Sequence, residues 1–391
     1  VIKQSNLCNE IYQYTDEETT AICTLSSMVL KNFIEKGEFD FNLLYDEVRK
    51  VVRALNKVIN INRYSTEKGK KGGLDQRAIA IGTQGLADVF YLMDYIFTSE
   101  EAKKLNKMIF ETIYFAAITE SMELCKSGEY KPYAHFEGSP MSKGEFQFDM
   151  WGLDYEGLGG LWDWDSLKLE VSNHGVCNSL FTAQMPVASS AKITGSYEMT
   201  EPAHSALFNR RVVGGEIMIV NKYLINDFEK IGVWCEDLKN EIIMNEGSIQ
   251  NINFNQYLDP EDRNYNKKVK RIEHLIPKYK TIWEISQREL IDMAADRAPF
   301  IDQSQSMNIY MSNPTLSKIN SSHFYGWEKG LKTLCYYVRT KAISTGAKHL
   351  ALDMTKREPI KKVETPKVDF SNMNLPPKPD NTEFECFGCS S

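Results

Sequence analysis

Short apolar runs, separated by longer stretches of helical periodicity, limit most strongly what this chain can fold into. Residues 20–30 ("TAICTLSSMVL"), 178–186 ("NSLFTAQMP"), 216–220 ("EIMIV") and 299–310 ("PFIDQSQSMNIY") read as strands, the second ended by Pro186. Between them, "FDFNLLYDEVRKVVRALNKVI" puts Leu44, Val48, Val51, Val52, Leu55, Val58 and Ile59 on one helical face. "AIAIGTQGLADVFYLM" reads as another apolar helix. Thr98 and Glu101 form a capping box that opens a long amphipathic helix to about residue 125. "TIWEISQRELIDMAADR" and "GWEKGLKTLCYYVRT" are further helical patterns. "KGKKGGLDQR" reads as a basic, solvated turn, and the aromatic, irregular stretch 128–165 as a long surface excursion. Strands that alternate with helices favour an α/β fold with a largely parallel sheet or barrel. Residues 1–351 form that unit. From 352 to 391 the composition turns to Pro, Asn, Lys and Asp without apolar periodicity, which predicts a flexible tail.

Composition narrows the function. At 42% hydrophobic and 25% charged, the 391 residues have the balance of a soluble globular protein. No apolar run approaches a membrane span and no signal peptide is recognisable, so the expected place is the cytoplasm. Eight cysteines there are expected as reduced thiols. A net charge of −7 gives no footprint for nucleic acid, and the six histidines form no metal-binding spacing. The chain opens on Val1, the start expected of the second part of a longer protein or of one from which something was removed.

Four constellations carry chemistry. Cys386 and Cys389 form a C-x-x-C at the end of the tail. About 25 flexible residues span on the order of 25–30 Å, so this dithiol can visit an interior site and then meet an external reductant. The alternative, half of a zinc site, lacks its other ligands in the sequence. Ser189 and Ser190 follow the strand that stops at Pro186. They either cap a helix or, with its free N–H groups, bind an anion. Tyr336 and Tyr337 are adjacent, so on a helix they face different ways.

The fourth is "SNLCNEI". In an extended segment Asn6, Cys8 and Glu10 project to one side, which allows a nucleophile–base pair or a substrate-binding triad. A carboxylate raises a neighbouring thiol's pKa, and no adjacent base opposes it. Hydrogen-atom transfer through the neutral S–H therefore fits better than a thiolate nucleophile.

"SNLCNEI", "AICTLSS", "QRAIAIGTQGLADVFYLM", "NSLFTAQMPVASSAKITG", "RRVVGGEIMIVN", "APFIDQSQSMNI", "HFYGWEKGLKTLCYYVRT" and "CFGC" occur in an order that resembles the large, catalytic subunit of class I ribonucleotide reductase. The resemblance implies the C-terminal half of a ten-stranded α/β barrel with a finger-loop cysteine. It implies reduction of ribonucleoside diphosphates to 2′-deoxyribonucleoside diphosphates by thiyl-radical chemistry. Cys8 then matches the radical cysteine, Glu10 the carboxylate that takes the 3′-hydroxyl proton, and Asn6 the amide that holds the ribose hydroxyls. Leu7 and Asn9 complete that substrate-binding loop. Cys23 matches one of two reducing cysteines. Pro186, Val187, Ala188, Ser189 and Ser190 match the diphosphate-binding turn, Tyr336 and Tyr337 the radical relay, and Cys386 and Cys389 the tail pair re-reduced by thioredoxin or glutaredoxin.

By the same resemblance the chain binds no cofactor directly. A dimetal small subunit supplies the radical, and ATP/dATP-type effectors bind an N-terminal region that this sequence does not match. No cysteine precedes Cys8, so the second active-site redox cysteine is missing, and Cys125, Cys177, Cys235 and Cys335 read as structural. A half-barrel would expose sheet edges. The expected partners are therefore an N-terminal half and the small subunit, in an oligomer, with neither nucleic acid nor membrane. Two alternatives are a catalytically incomplete or regulatory paralogue and a related radical reductase of another class. The tyrosine pair and the lack of a C-terminal glycyl-radical motif weigh against the latter.

Overall fold

A computed structural model of the chain describes residues 2, 5–153, 158–212 and 215–341. The expected tail 352–391, with Cys386 and Cys389, lies outside the described residues. Regular structure begins at β1 (Leu25–Val29), and a two-residue hairpin, β2 (Ile34–Glu35) and β3 (Glu38–Phe39), leads to α1 (Phe41–Ile61). Then come α2 (Glu67–Gln76), β4 (Ala80–Gln84), α3 (Leu86–Leu92), α4 (Glu100–Lys126), α5 (Gln147–Met150), α6 (Trp164–His174) and α7 (Ala188–Thr194). A hairpin of β5 (Leu207–Val212) and β6 (Gly215–Val220) precedes α8 (Lys222–Ile231), α9 (Glu236–Met244), α10 (Tyr265–Lys278) and α11 (Gln287–Arg297). The last elements are β7 (Met307–Tyr310), α12 (Leu316–Glu328) and β8 (Cys335–Arg339).

The scaffold of interest is a parallel arc. β1 pairs with β4, and β7 with β8, both in parallel. The extended segment 180–185 links the two pairs. Ile79 N donates to Leu180 O and Ile81 N to Phe181 O, while single parallel bridges join Ile81 to Thr182 and Gln184 to Gln305. The order is thus β1, β4, 180–185, the 303–306 run into β7, then β8. Among the described residues the arc does not close into a barrel. Gly82 sits where β4 meets its neighbour: a Cβ there would lie 2.5 Å from Ala183 O, so only glycine allows the close approach. α1 and α4 pack together on the arc, burying Leu44, Val48, Val52, Leu55 and Ile59 from α1 against the principal apolar core.

Several local expectations change. "AIAIGTQGLADVFYLM" is not one helix but β4 and α3, divided by Gly85 at φ 83°. Helical spacing and a buried strand run are indistinguishable over so few apolar residues. "KGKKGG" is not a solvated turn but part of α2, with Gly69, Gly72 and Gly73 buried; a Cβ on Gly72 would come 2.3 Å from Thr20 O. Ser99 rather than Thr98 caps α4, accepting from Ala102 N. From Ile109 to Ile118 α4 is buried on all sides, so it is a central helix more than an amphipathic one. Val58 of α1 faces solvent.

The 128–165 stretch is no surface excursion, since Tyr133, Phe136, Phe146, Phe148 and Trp164 are buried, and Phe148 and Trp164 meet edge-on at 4.7 Å. "EIMIV" lies in the antiparallel β5–β6 hairpin, outside the parallel arc. "GWEKGLKTLCYYVRT" leaves α12 at Glu328 and ends as β8.

Candidate active site

The 6–10 loop is a turn rather than an extended segment. Asn9 N donates to Asn6 O at 3.2 Å, and Asn9 takes φ 68°, a left-handed conformation that asparagine tolerates better than most residues. Asn6 Oδ1 accepts from Ile11 N at 3.1 Å, and Asn9 Nδ2 donates to Cys335 O at 3.2 Å. The period-2 alternation of Asn6, Cys8 and Glu10 therefore does not describe this backbone. Strand ends position it instead. Ser304 N donates to Glu10 O at 2.9 Å, and Thr333 Oγ1 donates to Asn9 O at 3.2 Å. Ser306 Oγ lies against Cys8 O and donates to Glu10 Oε2 at 2.8 Å. Glu10 is buried and Cys8 is half-buried, while Leu7 is exposed.

Ser304, Ser306 and Thr333 were not singled out from sequence. Their signal was available: "DQSQS" is polar, yet Gln303, Ser304, Gln305 and Ser306 are all buried between apolar flanks. Buried polar side chains need partners, so such a run marks a hydrogen-bonded scaffold. Asp302 begins it and accepts from Phe181 N at 2.8 Å and Thr182 N at 2.9 Å, joining strand 180–185 to the run. Burial pushes the Asp302 carboxyl up to about 6 despite those donors. Lys332 Nζ reaches Ile301 O, Asp302 O and Gln303 O. Burial pushes its ammonium down to about 8, with the Asp302 charge opposing.

Cys8 and Tyr336 are in side-chain hydrogen-bond contact, and so are Tyr336 and Tyr337. The tyrosine rings lie 4.1 Å apart, tilted by 45°. Burial first, then those two contacts, hold the Tyr336 hydroxyl pKa well above its ordinary value. Adjacent strand residues normally face opposite ways. Here the pairing steps from Met307–Cys335 to Asn308–Tyr337, leaving Tyr336 as an extra residue. This bulge re-aims one side chain and brings the two rings together. Tyr337 is 44% exposed, with the Arg339 guanidinium 4.5 Å from its ring centroid.

Cys23 is exposed, two residues ahead of β1. Its segment is pinned on both sides: Thr20 N donates to Lys68 O, and Ala80 N donates to Thr24 O. Strand 180–185 runs into Pro186, Val187 and α7. Val187 is buried; Ala188 is half-buried, and Ser189 and Ser190 are exposed. No side chain caps α7, and Ser190 Oγ donates back to Val187 O at 3.3 Å. The ordinary N-cap considered for these serines is thus not formed. At the other end Lys31 Nζ donates to Thr194 O and Gly195 O, a cation on the carbonyl terminus.

Among the described residues no three His, Cys, Asp or Glu side chains are grouped to hold a metal ion, and no helix is long and apolar enough to cross a membrane.

The family model "Ribonucleotide reductase, barrel domain" matches residues 1–337. The chain belongs to this family. Ribonucleoside-diphosphate reductase large chains of Cryptosporidium parvum and Schizosaccharomyces pombe are 47% and 42% identical to it, over 87% and 99% of this chain and 40% and 46% of their own lengths. The large subunit of Caenorhabditis elegans is 44% identical over 93% of this chain and 44% of its own length. The chain thus spans less than half of the reductase relatives it matches. The matched region includes the 6–10 loop, the strand 180–185, the 302–306 run and the tyrosines of β8.

Proposed function

We propose that this chain carries the radical-bearing part of a ribonucleoside-diphosphate reductase large subunit and converts ribonucleoside diphosphates to 2′-deoxyribonucleoside diphosphates. The observation that carries this reading is the unbroken contact from Tyr337 through Tyr336 to Cys8, with Glu10 anchored beside it through Ser306. A radical delivered by a dimetal small subunit would oxidise Tyr337 and then Tyr336. Tyr336 would then take a hydrogen atom from Cys8. The Cys8–Tyr336 hydrogen bond suits that step, because the proton has a short path while the electron moves. The Cys8 thiyl would abstract the ribose 3′-hydrogen. Glu10 would take the 3′-hydroxyl proton, and Asn6 would orient the hydroxyls within the 6–10 loop.

The 2′-hydroxyl would leave as water as Cys23 and a second thiol become oxidised. The Pro186–Ser190 turn would hold the diphosphate; its uncapped first-turn N–H groups support that role. Cys386 and Cys389, on a tail from 352 to 391, would restore the active-site thiols and be reduced in turn by thioredoxin or glutaredoxin. The arc would form the C-terminal half of a ten-stranded barrel, completed by the part of the relatives' length that this chain does not match, which would also carry the ATP/dATP effector sites. The exposed Leu316, Phe324 and Trp327 of α12, just ahead of the tyrosine strand, form an apolar surface suited to docking of the small subunit.

The test combines this chain with the N-terminal part of a relative, a small subunit and a thioredoxin system, and follows deoxynucleoside diphosphate by chromatography. Cys8→Ser and Tyr336→Phe should each abolish turnover without lowering the unfolding midpoint. Turnover retained in either variant would sink the relay.

A further inference from the structure

Tyr310 ends β7, and the pairing of β7 with β8 sets it beside the proposed relay. Asn308 pairs with Tyr337, and Tyr310 with Arg339. Paired residues on neighbouring strands share a face of the sheet, as do residues two apart on one strand. Tyr310 and Tyr337 are therefore diagonal neighbours on one face, with Cα atoms roughly 8 Å apart from strand rise and spacing. The contacts agree with this register. Glu201 reaches both β7 side chains, accepting from Asn308 Nδ2 at 2.7 Å and from the Tyr310 hydroxyl at 2.5 Å. On β8 the Arg339 guanidinium lies 4.5 Å from the Tyr337 ring centroid. The two tyrosines differ in their surroundings: Tyr337 is 44% exposed and Tyr310 only 5%. Trp283 meets the Tyr310 ring edge-on, with centroids 5.3 Å apart, and His204 Nε2 lies 2.9 Å from its oxygen. A phenol has one proton, and Tyr310 gives it to Glu201, so His204 donates from Nε2 to the phenol oxygen. An oxidised phenol sheds its proton at once, so oxidation is easy only where an acceptor already stands in hydrogen-bond reach. Burial raises the Glu201 pKa against its two donors, which makes that acceptor a readier base.

From this geometry we infer that Tyr310 is a third redox-active tyrosine, which takes the radical from Tyr337 and shelters it from solvent while Glu201 keeps the proton. The inference rests on the proposed relay for the source of that radical. In the step, one electron passes from Tyr310 to the Tyr337 phenoxyl. The Tyr310 O–H bond breaks, and its proton goes to Glu201 Oε2. The reduced Tyr337 oxygen takes a proton from solvent, to which its ring is open. In sum, one phenoxyl, one phenol, one carboxylate and one proton give one phenol, one phenoxyl and one carboxylic acid. The return to Tyr337 runs the same steps backwards. While it holds the radical, the Tyr310 oxygen accepts two hydrogen bonds, one from His204 Nε2 and one from the protonated Glu201. An exposed phenoxyl on Tyr337 meets reductants from solvent, whereas one on Tyr310 is covered. The branch thus preserves a radical that waits at the outer end of the relay.

The test uses the full chain alone, without small subunit or nucleotide, so its result stands apart from that of the reductase assay. A laser flash on ruthenium tris-bipyridine with a cobalt(III) pentaammine acceptor oxidises tyrosines, and freeze-quench electron paramagnetic resonance follows their radicals. The chain has 19 tyrosines, so assignment comes from differences between variants. The parent should show a tyrosyl component that decays about tenfold more slowly than the rest, the scale set by hydrogen bonds to the phenoxyl oxygen. Tyr310→Phe should remove that component, and Glu201→Gln should shorten its life. Tyr337→Phe should lower its yield, because the exposed ring is where the oxidant draws the electron. Electron–nuclear double resonance in deuterated buffer should find two exchangeable couplings to the slow radical, and His204→Ala should leave one. The same slow component in Tyr310→Phe, or an undiminished yield in Tyr337→Phe, would overturn the inference. If Tyr310→Phe fails to fold, the couplings decide: a slow radical whose couplings are unchanged in His204→Ala is not on Tyr310.

Discussion

Asp302 offers a quantitative check on the scaffold beneath the 6–10 loop. Its carboxylate joins two strands of the arc by accepting from Phe181 N and Thr182 N, and burial raises it from 3.8 to about 6. A difference of about two units corresponds to roughly 3 kcal/mol between the protonation states. The folded value lies above the unfolded one. The stabilising contribution is therefore fully present below pH 3.8 and is lost as pH rises through about 6. Asp302→Asn should remove this dependence. Near pH 4 it should also lower stability by about 1–3 kcal/mol, because one amide oxygen replaces two carboxyl oxygens and one strand N–H loses its acceptor, and this deficit should shrink or reverse as pH rises through about 6.

The slope and the offset are thus separable. Urea unfolding at pH 4, 5, 6 and 7 and fixed ionic strength measures both. Other raised carboxyls, such as Asp88, Glu111 and Glu201, contribute equally to parent and variant, so the difference isolates Asp302. Lys332, pushed down to about 8, is already charged throughout the window. Parallel curves between pH 4 and 6 would refute the reasoning.

Ser306→Ala should cost about 1–3 kcal/mol, because the buried Glu10 carboxylate loses its hydroxyl donor. In the reconstitution that tests the proposed reductase, kcat is expected to fall while the KM for nucleotide changes little. Gly82→Ala should cost about 1–3 kcal/mol, since the new Cβ would meet Ala183 O at 2.5 Å and Met185 Sδ at 2.6 Å. Faster hydrogen exchange at Ile81 and Ala183 would locate the damage. Lys278→Met should cost about 1–3 kcal/mol at neutral pH by removing the ammonium 2.8 Å from Asp227, whose remaining cation, Arg271, lies 3.5 Å away. Lys278 and the Tyr279 hydroxyl hold the Asp227 pKa below its ordinary value against burial, so that loss should shrink as acid protonates Asp227. A thermal unfolding series from pH 7 to pH 4 checks it.

The sequence reading succeeded where one physical signal dominated. The face of α1 follows its periodicity, with Asp40 accepting from Leu43 N at the start, and the strand 180–185 stops at Pro186 as its missing donor requires. It failed where two signals coincide. The short apolar run before Gly82 fits a helix or a buried strand equally, and the deciding fact, the approach of Ala183 O, is long-range. Gly72 of α2 looks like a loop residue because its purpose is a neighbour, Thr20, about fifty positions away. The aromatics of 128–165 lack periodicity because they fill the core from turns and short helices, so composition alone marked them as surface. At the candidate site, Cys8, Glu10 and the tyrosines were visible as residues, but their means of support was not.

That support explains why the tyrosine pair looked weak in one dimension. Neighbouring residues on a regular strand cannot both serve one side, so a Tyr-Tyr dipeptide reads as one inward and one outward ring. The pairing of β8 with β7 skips Tyr336, and the skip turns that expectation around. It also fixes where Cys335 presents its carbonyl to Asn9 and where Thr333 meets the 6–10 loop. The contact between Cys8 and Tyr336 therefore depends on strand register. Removing the bulge by deleting one residue would return Tyr336 and Tyr337 to opposite faces and break the path, with every side chain of the path still present. The chemistry is written in the residue types, but its continuity depends on one extra residue in a strand.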